Sequence, residues 1–263
     1  GSEMCIRDSP DGDYTSSVYG DNNILTSVGN PVGLFYGYKT AGVFATDAEA
    51  KSAGKDGYLY MEDNAGLRND FKAGDVHFID QNNDGKISEL DKVVIGDPNP
   101  DIYGNIFATI NYKNLTLTMG WNYSLGNDVY NYQRSILNSG STFYNQQVAE
   151  VAHWRYEGQQ TDLPRLAYGD PMGNNRFSDR WIEDGSYLRL KTLNLSYKVP
   201  VPGSWTWLQG LTVWAQANNL LTFTKYLGSD PEFSIGNGVL YQGIDCGNIA
   251  QGRSFQCGVK INL

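Results

Sequence analysis

Leu115, Leu117, Met119, Trp121 and Tyr123 alternate without a break with Thr116, Thr118, Gly120 and Asn122. A period of two sends the first set to one face of an extended strand and the second set to the other. Any fold of this chain must therefore give one face of that strand an apolar environment and the other a polar one. The run Ile102 to Tyr112 keeps the same period, and only Lys113 and Asn114 separate the two, which predicts a tight hairpin. Tyr187 to Val199, Leu211 to Thr222 and Arg253 to Leu263 read as further strands, and Gly33 to Phe44 as a sixth. In the Arg253 to Leu263 run, Phe255, Cys257, Val259, Ile261 and Leu263 oppose Ser254, Gln256, Lys260 and Asn262. Leu188 and Leu190 fall out of phase with Leu193 and Leu195, which predicts a β-bulge between them.

The links between these strands alternate in length: 113–114, then 126–186, then a short Pro/Gly turn around Pro200, Pro202 and Gly203, then 223–250. Long connections at one end and short turns at the other are the layout of an antiparallel transmembrane β-barrel. Connections this long are uncommon inside a compact soluble domain. Strand parity then places 45–100, 126–186 and 223–250 on the outer face. Composition supports the strands, because 13% aromatic residues, 30 Gly and only 19% charged residues do not suit a coiled coil, a helical bundle or a disordered tail. No run reaches the roughly 20 apolar residues of a spanning helix, a test that leaves a barrel open. A formal net charge of -9 disfavours binding to a nucleic-acid backbone.

Within 79–92 lies the chemistry. Asp80, Asn82 and Asp84 occupy positions 1, 3 and 5 of a twelve-residue calcium loop, Gly85 position 6, Lys86 position 7, Ser88 position 9 and Asp91 position 12. Calcium takes six to eight oxygens, and only a sharp turn at Gly85 lets the first three side chains converge. The expected ligands are Asp80, Asn82, Asp84, the Lys86 carbonyl, Ser88 through water and Asp91, with Ile87 as an apolar pin. Position 12 is Asp rather than Glu, and Asp75 to Ile79 reads as extended, so this is an EF-hand-like loop without the EF-hand helices. A plain Asx-turn that binds nothing is the competing reading.

Other constellations are weaker. His77 and His153 lie far apart without Cys partners, Glu183 and Asp184 point to opposite faces of a strand, and no catalytic site is expected. Trp205, Trp207 and Trp214 could form a sugar platform, but their nearness to the short turn favours an interfacial aromatic belt. Among Cys5, Cys246 and Cys257, a Cys246 to Cys257 disulfide is one option. Residues 1–10 read as a non-native N-terminal scar, leaving 11–263 for the fold. The alternative architecture is a secreted, calcium-dependent, carbohydrate-binding β-sandwich, which would bury the apolar face of 115–123 under a second sheet.

Several segments in order carry a family resemblance: Val28 to Tyr38, Gly74-Asp75-Val76 leading into the calcium loop, Val94 to Pro100, Gly126 to Asn131, Arg180 to Lys191 and Asn218 to Tyr226. Together they resemble the C-terminal barrel portion of a SusC/RagA-family TonB-dependent outer-membrane receptor of Bacteroidetes type. The resemblance implies a 22-stranded barrel in the bacterial outer membrane that imports oligosaccharide or peptide nutrients. It implies two partners, a SusD-like surface lipoprotein and TonB, the latter reached through an N-terminal region not in this sequence. The family usually ends on an aromatic residue, where this chain has Leu263.

Overall fold

The computed structural model describes residues 13–17, 23–63, 65–203, 207–232, 236 and 238–263, so the expected scar at 1–10 lies outside the described residues. The chain divides into two compact units. One is assembled from 100–127, 184–233 and 248–263, the other from 1–99, 128–183 and 234–247.

The first unit is a single five-stranded antiparallel meander. Its strands are β1 (Ile102–Tyr112), β2 (Leu115–Leu125), β3 (Tyr187–Val199), β4 (Gly210–Thr224) and β5 (Ser254–Asn262). Each strand pairs only with its neighbours in sequence, from β1 at one edge to β5 at the other. The register carries the alternation across the whole sheet. Tyr112, Leu115, Tyr197, Val213 and Val259 stand in one cross-strand row, and Thr109, Thr118, Asn194, Gln216 and Gln256 in another. The second row bonds laterally through Thr109 to Thr118 and Asn194 Nδ2 to Gln216 Oε1, both at 3.4 Å. One face of the sheet is thus apolar and the other polar, because a period-two sequence on each strand is in phase with the next.

The expected bulge is present: β2 slips register between Gly120 and Trp121, and β3 between Leu190 and Thr192. Past it, Arg189 stands opposite Asn122 and Thr222 on the polar face. The connections at 113–114 and 200–209 leave one end of the sheet, and those at 126–186 and 225–253 leave the other.

A sandwich does not form. Leu195, Tyr197, Val213, Phe255, Val259 and Ile261 on the apolar face are 44–72% exposed, and no second sheet of the described residues covers them. Two further expectations need correction, and one open option closes. Gly33 to Phe44 is two short strands, Leu34–Tyr38 and Thr40–Val43, in different sheets of the other unit, so the meander has five strands. Cys246 and Cys257 are not joined by a disulfide. Trp207 is 62% exposed beside the short turn, but Trp214 shares its row with Ser196 and Gly258 on the polar face, and Trp205 lies outside the described residues. A Cβ on Gly258 would stand 2.7 Å from the Trp214 ring, so the indole lies across the glycine. Val213, not Trp214, has the parity of the apolar face.

The second unit is built from short strands around two apolar clusters. Leu34–Tyr38 lies between Asn23–Thr26 and Lys92–Gly96, while Val76–Phe78 pairs with Thr40–Val43 and Tyr60–Glu62 with Arg68–Asp70. Phe44, Leu59, Phe71, Val76, Phe78 and Ile87 form the centre of one cluster, and Phe35, Tyr130, Phe177 and Trp181 of the other. Asp75, fully buried, is held by Arg165 Nε and Nη2 at 2.8 and 3.0 Å, by Asn174 Nδ2 at 3.0 Å and by the Lys72 N–H at 2.9 Å. This staple fixes 72–76 to 165–174.

Candidate metal centre

The loop from Asp80 to Asp91 follows the extended Val76–Phe78 and ends in a 3-10 turn, Glu89–Asp91, so the upstream flank is a strand as the sequence predicted. Ile87, 3% exposed, enters the Phe71 and Phe78 cluster and anchors the loop to the core. Backbone bonds from Tyr60 N–H to the Gly85 carbonyl (3.3 Å) and from Ile87 N–H to the Tyr60 carbonyl (2.8 Å) flank Lys86. Because successive groups of an extended segment alternate in direction, this pairing turns the N–H and carbonyl of Lys86 away from Tyr60 and toward the loop. The Lys86 ammonium leaves the loop for Glu62, 2.6 Å away.

The predicted side chains fall into two linked groups. Asp80 Oδ2 accepts from Gly85 N–H at 2.7 Å, Asn82 Oδ1 from Asp84 N–H at 2.9 Å, and Asp84 Oδ1 from Lys86 N–H at 2.8 Å. Asn82 Nδ2 also donates to Asp84 Oδ2 at 3.0 Å. These Asx-type bonds wind the loop inward, with Asn83 at φ +57° and Gly85 at φ +85°, a region where only glycine carries no Cβ penalty. In the second group, Asp91 is fully buried, with Oδ1 accepting from Gln81 N–H at 2.9 Å and Oδ2 from Ser88 N–H at 2.8 Å. The position-12 carboxylate thereby ties the start of the loop to its end.

All six groups offer hard oxygen donors, the set calcium prefers. The main-chain bonds fix each carboxylate while leaving it further lone pairs. The residues present therefore fit a calcium ion in donor chemistry. Among the described residues, no three His, Cys, Asp or Glu side chains are grouped so that they could hold a metal ion, and this includes the expected ligands Asp80, Asp84 and Asp91.

The remaining candidates have structural surroundings. His77 stacks on Phe44 with ring centres 4.3 Å apart, and burial pushes its pKa below the ordinary value against the opposing pull of Glu49. His153 Nδ1 lies 2.6 Å from the Glu150 carbonyl. Glu183 meets Arg134 at 2.7 Å, while Asp184 accepts from Ser186 N–H at 2.9 Å. A polar-face cluster that sequence reading missed joins Arg189 to Asp230 and Glu232, with Lys191 also on Glu232 at 2.9 Å. Its members lie some forty positions apart and share no spacing that would have announced them.

No protein-family model matches the chain. It is similar to TonB-dependent receptor P26 of Formosa agariphila, 34% identical over 256 residues that cover 94% of this chain and 24% of that receptor. It also matches TonB-dependent receptor SusC of Bacteroides thetaiotaomicron, 26% identical over 71% of this chain and 17% of SusC. Among solved structures, the RagAB peptide transporter superposes on 95% of this chain and 24% of that chain, with a TM-score of 0.67 at 21% identity. The chain thus spans a quarter or less of the length of the relatives it matches. The five-stranded meander, with one face apolar and exposed, is part of a β-barrel wall in the bacterial outer membrane, and the chain belongs to the SusC/RagA family of TonB-dependent receptors.

Proposed function

We propose that this chain is a portion of an active transporter that imports oligosaccharides or peptides across the outer membrane, energised by TonB and lidded by a SusD-like surface lipoprotein. One observation carries the reading: an unbroken apolar face backs a polar face on the same five strands, and every long connection leaves the sheet at one end. Lipid suits the first face and a water-filled lumen the second. The names of the relatives, which are receptors and a peptide transporter, support nutrient import as the activity.

Deleting the intact receptor should abolish growth of its host on one oligosaccharide or peptide mixture, and deleting TonB should do the same. Unchanged growth on every such nutrient overturns the import reading. Affinity purification of the intact receptor should bring down a surface lipoprotein in equal amount.

The calcium assignment belongs to this proposal. Asp80, Asn82, Asp84, the Lys86 carbonyl, Asp91 and a water on Ser88 would hold the ion, which would neutralise the loop carboxylates and order an extracellular connection. Calorimetric titration of the intact receptor should show one calcium site that Asp80→Ala with Asp84→Ala removes. Equal binding by both proteins reduces the loop to an Asx-turn.

A further inference from the structure

Beside the 80–91 loop, the second unit holds a cleft of about 700 Å³ whose charged wall residues are Glu62, Asp63, Lys86, Glu89, Lys92 and Arg176, with Tyr38 also lining it. Its three cations are not equivalent. Lys86 is neutralised by Glu62 at 2.6 Å and Lys92 by Glu89 at 2.5 Å. Arg176 hydrogen-bonds only to neutral groups: Nε donates to the Gly173 carbonyl at 3.1 Å, and Nη2 to Met61 Sδ at 3.0 Å and the Met172 carbonyl at 3.4 Å, while the Asp170 carboxylate acts on it electrostatically from beyond ion-pair distance. Among the described residues no carboxylate pairs with it, and Nη1 forms no hydrogen bond.

The guanidinium is nevertheless held firmly. Its central carbon stands 5.3 Å from the Tyr38 ring centre and 5.1 Å from that of Phe78, within cation–π range of both. Gly173, at φ +62°, brings the backbone against it so closely that a Cβ would lie 2.4 Å from Nη2. A guanidinium with no ion-pair partner at the wall of a cleft, only partly offset by the more distant Asp170, attracts an anion, and the planar fork of Arg matches a carboxylate. The Tyr38 hydroxyl donates to Glu89 Oε1 at 3.3 Å. Glu62 and Glu89 supply acceptors for the hydroxyl or ammonium groups of the same ligand.

We propose that this cleft binds a carboxylate-bearing ligand, an acidic sugar or a peptide end, with Arg176 as its anchoring cation. The inference goes beyond import and is read by binding alone, so it stands or falls separately from transport. Calorimetry on the intact receptor would compare digalacturonic acid with neutral galactobiose, and alanylalanine with its C-terminal amide. We expect at least one acid to bind tenfold or more tightly than its neutral counterpart. The pair that shows the preference identifies the source of the carboxylate. Arg176→Gln should erase that preference, and Arg176→Lys should weaken it by losing the fork. If neither acid is preferred in the unmodified receptor, a comparison that needs no variant, the proposal fails; it also fails if a folded Arg176→Gln receptor keeps the preference.

Discussion

Arg189 and Asp230, far apart in the chain, meet as an ion pair with both side chains nearly out of water, 4% and 3% exposed, and Nη2 2.5 Å from Oδ1. Glu232 adds a second carboxylate 2.6 Å from Nη1, and Gln251 N–H donates to Asp230 Oδ2 at 3.0 Å. Arg189 belongs to β3, so this cluster ties both ends of the 225–253 connection to the polar face of the wall. Burial acts to raise the Asp230 pKa, but hydrogen bonds from Arg189, Gln251 and Glu232 and the Arg189 charge outweigh it, and the net shift is downward.

Stripping a buried charge of its partner costs about 3 to 5 kcal/mol, and losing Asp230 costs less than that because Arg189 keeps Glu232. Asp230→Asn should therefore raise amide exchange across 229–251 while leaving the centre of β3 protected. The pH dependence has a definite sign. A depressed folded pKa stabilises the ionised latch above the unfolded value of about 3.9, and that contribution is lost as pH falls through the folded value. Protection of 229–251 should be level from pH 7 to 5, fall only at strongly acidic pH in the parent, and be low throughout in Asp230→Asn. Exchange that is identical in both proteins would show that the latch is not what holds the connection.

The wall predicts a difference between neighbours on one strand. Val259 is in the apolar row and Gln256 in the polar one. An Arg or Lys facing lipid at mid-membrane costs about 2 to 4 kcal/mol, and one facing the lumen costs little. Val259→Arg should lower the outer-membrane level of the intact receptor, and Gln256→Arg should not. A quantitative blot of outer-membrane fractions decides between them, and equal levels would mean the faces are wrongly assigned.

Two acids in the second unit should differ in the same way. Asp75 is fully buried with Arg165, whereas Asp70 meets Arg68 at the surface, with side chains 36% and 51% exposed. Exposed pairs contribute about 0 to 1 kcal/mol. Asp75→Asn should then speed proteolysis of the intact receptor within 72–76 and 165–174 several-fold, and Asp70→Asn hardly at all.

What the sequence shows and what it hides follow from the range of each signal. The five wall strands and the bulge at Lys191 were legible because alternation is local and any change of phase is visible in a few residues. The turn chemistry of 80–91 was legible because Asp80, Asn82 and Asp84 accept from main-chain N–H groups only two to five positions on. Gly33 to Phe44 misled because its apolar residues serve two different clusters, Phe35 one and Tyr38 with Phe44 the other, so the run breaks at Lys39. Trp214 misled because aromatic type suggested the belt while its register beside Gly258 put it on the polar face. Arg189 with Asp230, Asp75 with Arg165 and Arg176 in its cleft depend on long-range chain geometry and left no spacing to read.

Position 257 tests the wall most directly, because the native Cys257 lies on the apolar face and is exposed. In an intact receptor reconstituted in bilayers with Cys257 as its sole thiol, a nitroxide label there should collide freely with oxygen, which concentrates in lipid, and rarely with a water-soluble nickel chelate. Moving the label one residue, with Gln256→Cys and Cys257→Ser, should reverse that preference. Equal accessibility at both positions, or greater nickel access at 257 than at 256, would contradict the assignment of this sheet as a membrane wall.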